Sequence, residues 1–352
     1  MGRTVIPRKT LGASSLITIL VTNKTSCIVI SILKKNSHGI LLPGLDIGLD
    51  YSGRDAEYIF ISHAHADHMP GNRSLPVYAT PNTIKLMERR GYRGEATPLK
   101  FGETLHTPNA DITLFPAGHI LGSAMVYIES DKGSVLYSGD YKTPPSPASE
   151  GFSCPEQVDY FITEATFGLP IYKWAPTEEL ANQVRSFATR ALEEGYTPIY
   201  LAYSLGKAQE IMHMLAPTGL PVQIHGAGFK LCDVYEDAGI DLGNYSAYDP
   251  DTCEGNVLIT PGSALKSGFA STVTKKRIAY CSGWAVSESI RNRFSAVDEL
   301  IPLSDHLDFF ELIDLCAKLN PQKVYITHTP NADVVRHYLD NLNIDSAFLD
   351  RK

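Results

Sequence analysis

Apolar residues fall in short runs along this chain, and Gly and Pro punctuate the boundaries between those runs and amphipathic stretches. The pattern predicts mixed α/β layers. Residues 58–62, 135–138, 160–163 and 324–327 read as strands, and each run ends against a histidine or an acid: His63, Asp140, Glu164 and His328. A rigid sheet holds side chains at its strand ends while leaving them accessible, so this recurrence marks a site. Between Glu164 and His306 helix and strand alternate on their own account. A helix is predicted from Thr177 as N-cap, with Glu178 and Glu179 in its first turn, to Gly195. A strand over 198–203 and a helix over 206–215 follow, and the segment reads as a domain inserted into another.

The first 37 residues fit this scheme least. Their apolar runs, 16–21 and 27–33, are each shorter than the roughly 20 residues that a membrane span needs. No small-residue cleavage site follows them convincingly, and Ile6 stands where a myristoylation motif wants Ser or Thr. The expectation is a hairpin or an unstructured extension.

At 352 residues the chain can bury the core of one large domain or two moderate ones. Its six cysteines are scattered without a C-x-x-C pair, which points to reduced core residues of a cytoplasmic protein and away from zinc ribbons or disulfide scaffolds. The net charge of −8 has the wrong sign for holding nucleic acid by bulk electrostatics, so any such contact must be local. Small basic clusters occur at Arg89, Arg90 and Arg93, at Lys275 to Arg277, and at Arg291 with Arg293, and clusters like these more often mark a solvated surface.

The densest chemical signal is His63-Ala64-His65-Ala66-Asp67-His68, which puts four potential ligands in six residues directly after an apolar strand. Zinc accepts imidazole nitrogen and carboxylate oxygen, and the small alanines leave room for those side chains to converge. His119 is flanked by Gly118 and Gly122, which permit tight turns, and Asp140 follows Gly139 at a strand end. Either residue alone would more often be a packing histidine or a turn former; beside the histidine cluster both become candidate ligands. Ser204, Gly206 and Lys207 precede a predicted helix, where exposed N–H groups and a lysine suit a phosphate as well as a plain cap. Tyr172 and Trp174 could stack on a base, although such aromatics are more often core.

The H-x-H-x-D-H run followed by a separate His and a separate Asp resembles the metallo-β-lactamase superfamily. Residues 163–168 (TEATFG), 201–210 (LAYSLGKAQE), 304–308 (SDHLD) and 326–328 (ITH) resemble motifs of its β-CASP nucleases, and the stretch 163–174 looks most like the compact ligase-associated exonucleases, also labelled mRNA 3′-end processing factor-like. The likeness runs from about residue 38 to the end. It implies an α/β metallo-β-lactamase αββα sandwich over 38–168 and 278–352, with a β-CASP cap inserted over 169–277, behind an extension over 1–37. It also implies two zinc ions, one held by His63, His65 and His119 and the other by Asp67, His68 and His328, with Asp140 bridging. Asp50 would orient the ligand loop, Asp67 would be catalytic as well as a ligand, and His306 would give a proton to the leaving oxygen while Glu164 hydrogen-bonds it.

The function implied is a zinc-dependent nuclease, an exonuclease first of all, that hydrolyses phosphodiester bonds of single-stranded RNA or DNA in RNA processing or DNA repair. Partners would be the nucleic acid strand, a DNA ligase or helicase-linked repair system and further copies of the chain, with no membrane. One alternative is a small-molecule ester or thioester hydrolase, since one fold hosts many reactions. Another is a non-catalytic subunit of a processing complex, which the full set of candidate ligands makes the weaker reading.

Overall fold

The computed structural model describes residues 32–35, 39–286, 297–329 and 331–349. Most of the N-terminal extension and the pair Arg291 and Arg293 lie outside the described residues. Three sheets organise the rest. The first runs in sequence order through β1 (Leu33–Lys35), β2 (Gly39–Leu42), β3 (Ile47–Leu49), β4 (Tyr58–Phe60), β5 (Val77–Ala79) and β6 (Ala96–Pro98), with α1 (Pro81–Arg89) between the last two. The second contains β7 (Thr104–His106), β8 (Asp111–Pro116), β9 (Ala124–Ser130), β10 (Gly133–Tyr137) and β11 (Tyr160–Glu164). It is completed beyond β11 by β18 (Lys323–Thr327) and β19 (Asp345–Phe348), which return from the far end of the chain as parallel neighbours.

Strand alternation explains why these two sheets lie face to face. Along β10 and β11, Val135, Tyr137 and Ile162 join one apolar cluster, while Leu136 and Phe161 join another. The first cluster also takes Leu42, Ile47, Leu49 and Phe60 from the first sheet, so it is the layer between the sheets. The second packs under α6 (Phe309–Leu319) and α7 (Ala332–Asn341) through Leu312, Cys316, Val335 and Leu339. Asp308 caps α6 by accepting from Phe310 N at 2.8 Å and Glu311 N at 2.9 Å, and Glu311 returns the favour to Asp308 N at 2.9 Å.

The third sheet is parallel throughout: β14 (Tyr245–Ala247), β13 (Val222–Ile224), β15 (Val257–Thr260), β12 (Thr197–Leu201), β16 (Lys276–Cys281) and β17 (Glu299–Ile301), in that spatial order. The short helix α5 (Gly262–Lys266) follows β15, and parallel strands need cover on both faces. One face is covered by α2 (Thr177–Glu193), α3 (Lys207–Leu215) and α4 (Gly226–Asp237), whose Val184, Ile211 and Leu231 share a cluster with Ile59 and Val77 of the first sheet. This shared core seats the third sheet's unit above the ends of β4 and α1. Thr177 is the first residue of α2 and Pro176 occupies the N-cap without a side-chain hydrogen bond, so the expected Thr177 cap is corrected; the proline already supplies the extended backbone that a cap position needs. Strand β16 crosses the 277/278 division drawn from the sequence, and β17 follows it into the same sheet.

Among the described residues no helix is long and apolar enough to cross a membrane.

Candidate metal centre and active site

Chain geometry brings His63, His65, His119 and Asp140 together: one ligand atom from each lies within 4.8 Å of all the others. His63 and His65 come from the loop after β4, which closes in a turn as the His65 carbonyl accepts from His68 N and Met69 N. His119 sits in the β8–β9 connection. Gly118 permits that approach, because its φ is 75° and a Cβ there would lie 2.2 Å from the Lys142 carbonyl oxygen. Asp140 follows β10, one strand away from Glu164 at the end of β11.

The hydrogen bonds around these rings fix which nitrogen faces the centre. His65 Nε2 lies 3.1 Å from the Leu205 carbonyl and His119 Nδ1 lies 2.8 Å from the Asp305 carbonyl. A carbonyl only accepts, so both of those nitrogens carry the proton. Ser62 Oγ donates to Asp50 at 2.6 Å and can then accept from His63 Nδ1 at 3.0 Å. Burial, then neighbouring imidazoles, push the pKa of His63 well down and that of His119 to about 3, and burial lowers His65. The rings are therefore neutral and turn lone pairs inward, with His65 Nδ1 3.1 Å from both His63 Nε2 and His119 Nε2.

Three lone pairs at that spacing repel unless a cation lies between them. Tetrahedral zinc with ligands near 2.0 Å sets neighbouring ligand atoms about 3.3 Å apart. Asp140 Oδ2 completes such a set at 3.5 Å from His63 Nε2 and 3.8 Å from His119 Nε2. Donor type, protonation and spacing all fit a zinc-like ion.

Asp140 also faces the second group. Its Oδ2 is 3.4 Å from His68 Nε2, which is 4.0 Å from Asp67 Oδ2, and the His328 ring centre lies 5.8 Å from that of His68. Asp67 exposes 77% of its side chain, and His328 adopts a left-handed φ of 48° just past β18. Asp50 is buried under four donors: Ser62 N at 2.7 Å, Ser62 Oγ and His68 Nδ1 at 2.6 Å each, and Tyr137 OH at 2.8 Å. It ties the ligand loop to the sheet, while neighbouring Asp46 stays exposed. Burial lowers the His68 pKa, but Asp140 and Asp50 outweigh it and hold that imidazole well above its ordinary value.

His306 arrives from the loop before α6. Its Nδ1 meets Glu164 Oε1 at 2.7 Å, and Glu164 is itself held by Tyr141 N at 3.1 Å and by the Thr166 hydroxyl. Burial works against charge on His306, yet Glu164 and then Asp140 raise its pKa to about 10. The ring packs against Phe167, and the Trp174 indole N–H donates to the His306 carbonyl at 2.9 Å. Tyr172 and Trp174 thus belong to an aromatic wall with Phe167 and Trp284 that braces this loop.

A cavity of about 420 Å³ opens over the centre, reaching Asp67, His306 and His328 on its floor and Ser204, Tyr203 and Trp284 on its rim. Ser204 is half-buried, and Gly206 turns at φ 88° against Ile120. Lys207 is 1% exposed, with Nζ 2.7 Å from Glu210 and 3.8 Å from Asp305, so its charge is met inside the protein. Lys142 Nζ adds a further contact to Glu210 at 3.4 Å. Sequence reasoning assigned no role to Asp305 or to the Leu205 carbonyl, although both lie inside the quoted motif stretches.

No protein-family model matches the chain. It is 36% identical over 298 residues to a protein described as a probable DNA ligase from Opitutus terrae, an alignment covering 84% of this chain and 29% of that one. It is 25% identical over 309 residues to 5′ exonuclease Apollo of Gallus gallus, covering 82% of this chain and 63% of Apollo. An RNase J-like protein of Methanocaldococcus jannaschii is 28% identical over 179 residues, 44% of this chain and 42% of its own. The chain spans less than two thirds of each of these relatives. Two of these names, the Apollo exonuclease and the RNase J-like protein, are those of nucleases. The resemblance drawn from the motifs is borne out: this chain is a relative of the β-CASP metallo-β-lactamase nucleases.

Proposed function

We propose that the chain is a two-zinc nuclease that hydrolyses phosphodiester bonds of single-stranded RNA or DNA, working as an exonuclease. The observation that carries this reading is the set of neutral imidazoles whose lone pairs meet at 3.1 Å beside Asp140. In this reading the two facing sheets and their outer helices are the metallo-β-lactamase sandwich. The third sheet with its helices is the inserted cap, beginning near residue 169 and reaching past 277 to take in β16 and β17.

His63, His65 and His119 would hold one ion, Asp67, His68 and His328 the other, and Asp140 both. Two such ions would supply an acidified water as nucleophile and a sink for phosphate charge. The remaining steps fall to side chains. Asp50 keeps Ser62 and His68 in register, so the ligand loop is set before substrate arrives. Glu164 holds the His306 ring by Nδ1 and keeps it charged, which leaves a proton on Nε2 for the leaving oxygen. Ser204 and the loop to Gly206 roof the cavity, while Lys207 acts from behind by bracing Asp305. The relatives' names support both RNA and DNA as substrate, and the ligase-named one supports a repair setting beside a DNA ligase. Five of the cysteines are free thiols, which suits a cytoplasmic protein.

End-labelled single-stranded RNA and DNA of one sequence, incubated with the zinc-loaded chain and followed over time, test the reading. Metal-dependent loss from one end, absent with Asp67→Ala/His68→Ala, is expected. No cleavage of either strand would overturn it and favour a small-molecule hydrolase.

A further inference from the structure

Two basic residues of α1 are neutralised by acids and the nearby Arg93 is met by carbonyls. Arg89 pairs with Asp233 and Lys85 with Asp237 across the α1–α4 contact. Arg93 donates to the backbone carbonyls of Glu88 and Tyr92. Arg90 differs. It caps the C-terminus of α1, is half-buried, lines the cavity beside His65 and Asp67, and makes no side-chain hydrogen bond or ion pair among the described residues.

Its surroundings make that isolation costly. Burial and the like charge of Arg73 both push against the charge on Arg90, and only Asp67 favours it. Among the described residues the Arg73 guanidinium in turn reaches only the Met69 sulfur, at 3.1 Å. Arg73 and Arg90 are thus two like charges with no acid within ion-pair distance of either among the described residues. Like charges held together on a chain of net charge −8 call for an anion from outside.

Tyr203 supplies the complementary chemistry on the same rim. It is 70% exposed, lines the same cavity, and its side chain has no ring partner or hydrogen bond among the described residues. Trp284, by comparison, leans on Phe167 with ring centres 4.8 Å apart. An unpaired guanidinium and an unpartnered aromatic face on one opening match the two repeating features of a single strand, its phosphates and its bases.

We propose that Arg90 and Tyr203 form a strand-binding subsite beside the metal centre, Arg90 taking the phosphate next to the one being cut and Tyr203 stacking on a base. This rests on the nuclease reading. It places the local positive charge that the sequence required on one arginine of the Arg89–Arg93 cluster, the one that faces the cavity.

Binding of a short dye-labelled oligonucleotide, measured by fluorescence anisotropy across a salt series, tests the subsite, with zinc-loaded His306→Ala as the parent to stop turnover. Arg90→Ala should weaken binding about tenfold and reduce the slope of log affinity against log salt by about 0.7, and Arg90→Lys should keep the slope. Tyr203→Ala should weaken binding about 5- to 150-fold with the slope unchanged, and Tyr203→Phe should bind like the parent. Zinc content and melting temperature of each variant establish that fold and metal centre are intact. If Arg90→Ala and Tyr203→Ala both bind with the parent's affinity and slope, the subsite is overturned while the nuclease reading stands. If the parent itself binds no strand, the nuclease reading falls and the subsite with it.

Discussion

The two halves of the proposed metal centre are built differently. On one side His63, His65 and His119 are buried or half-buried, neutral, and each has its outer nitrogen fixed by a hydroxyl or a backbone carbonyl. On the other side Asp50 fixes His68 and the Thr327 hydroxyl lies 3.1 Å from His328 Nδ1, while Asp67 stands 77% exposed and His328 sits at a strained φ. The first half has its ordering cost met by the fold; the second must still bring in the exposed Asp67 when an ion arrives. A lower affinity on the open side would also suit its position, because that side faces the cavity and the proposed strand-binding rim. Two of the fixing carbonyls, Leu205 and Asp305, lie beyond the ligand loops, next to α3 and before α6, so the tight half depends on how the unit containing the third sheet is seated.

The largest effect that would sharpen this comparison is at the tight half itself. Loss of an outer hydrogen-bond partner alone typically costs about 10- to 100-fold in metal affinity or activity, so His119→Ala should leave well under about 1% of nuclease activity. Nuclease assays with zinc in excess check this, and near-normal activity would break the account. The next effect comes through the buried charges that brace Asp305. Lys207→Met leaves Asp305 without its buried lysine and should lower stability by about 3 kcal/mol, read by denaturant melts. Zinc affinity of the tight half should fall with it, since the Asp305 carbonyl orients His119. A variant that loses stability but keeps full zinc affinity would separate the cap from the tight half.

The smallest effect lies outside both halves and serves as their control. Burial, with help from Asp308, holds the Glu311 pKa at about 7 despite Lys142 and its hydrogen bond to the Asp308 backbone. Its folded value exceeds its ordinary 4.5, so its contribution is complete below about 4.5 and is lost as pH rises through 7. Glu311→Gln keeps an acceptor for Asp308 N–H and should flatten that decline between pH 5 and 8, measured as melting temperature of the metal-free chain. An unchanged pH profile would contradict the assignment.

What the sequence revealed and what it hid follow one physical distinction. The histidine run was legible because ligand chemistry resides in side chains and four of them are almost consecutive. The strand ends that carry Asp140, Glu164 and His328 were legible because apolar runs stop there. The partners that set the tautomers of His65 and His119 are backbone carbonyls, which have no residue signature, and they meet their rings 140 and 186 residues away along the chain. Lys207 read as a phosphate ligand because a lysine at a helix start is ambiguous until its burial is known; its partner Glu210 lies one turn on in the same helix. The Arg89–Arg93 cluster read as one surface patch, and only packing against α4 distinguishes Arg89, paired with Asp233, from Arg90 in the cavity.

The direct test of a two-ion centre with unequal halves is a zinc-binding isotherm of the chelator-stripped chain, repeated for His119→Ala and Asp67→Ala. The account predicts two ions in two classes at least about tenfold apart in affinity, the tight class lost in His119→Ala and only the weak class lost in Asp67→Ala. A single ion per chain, or two equivalent ions lost together in both variants, would contradict it.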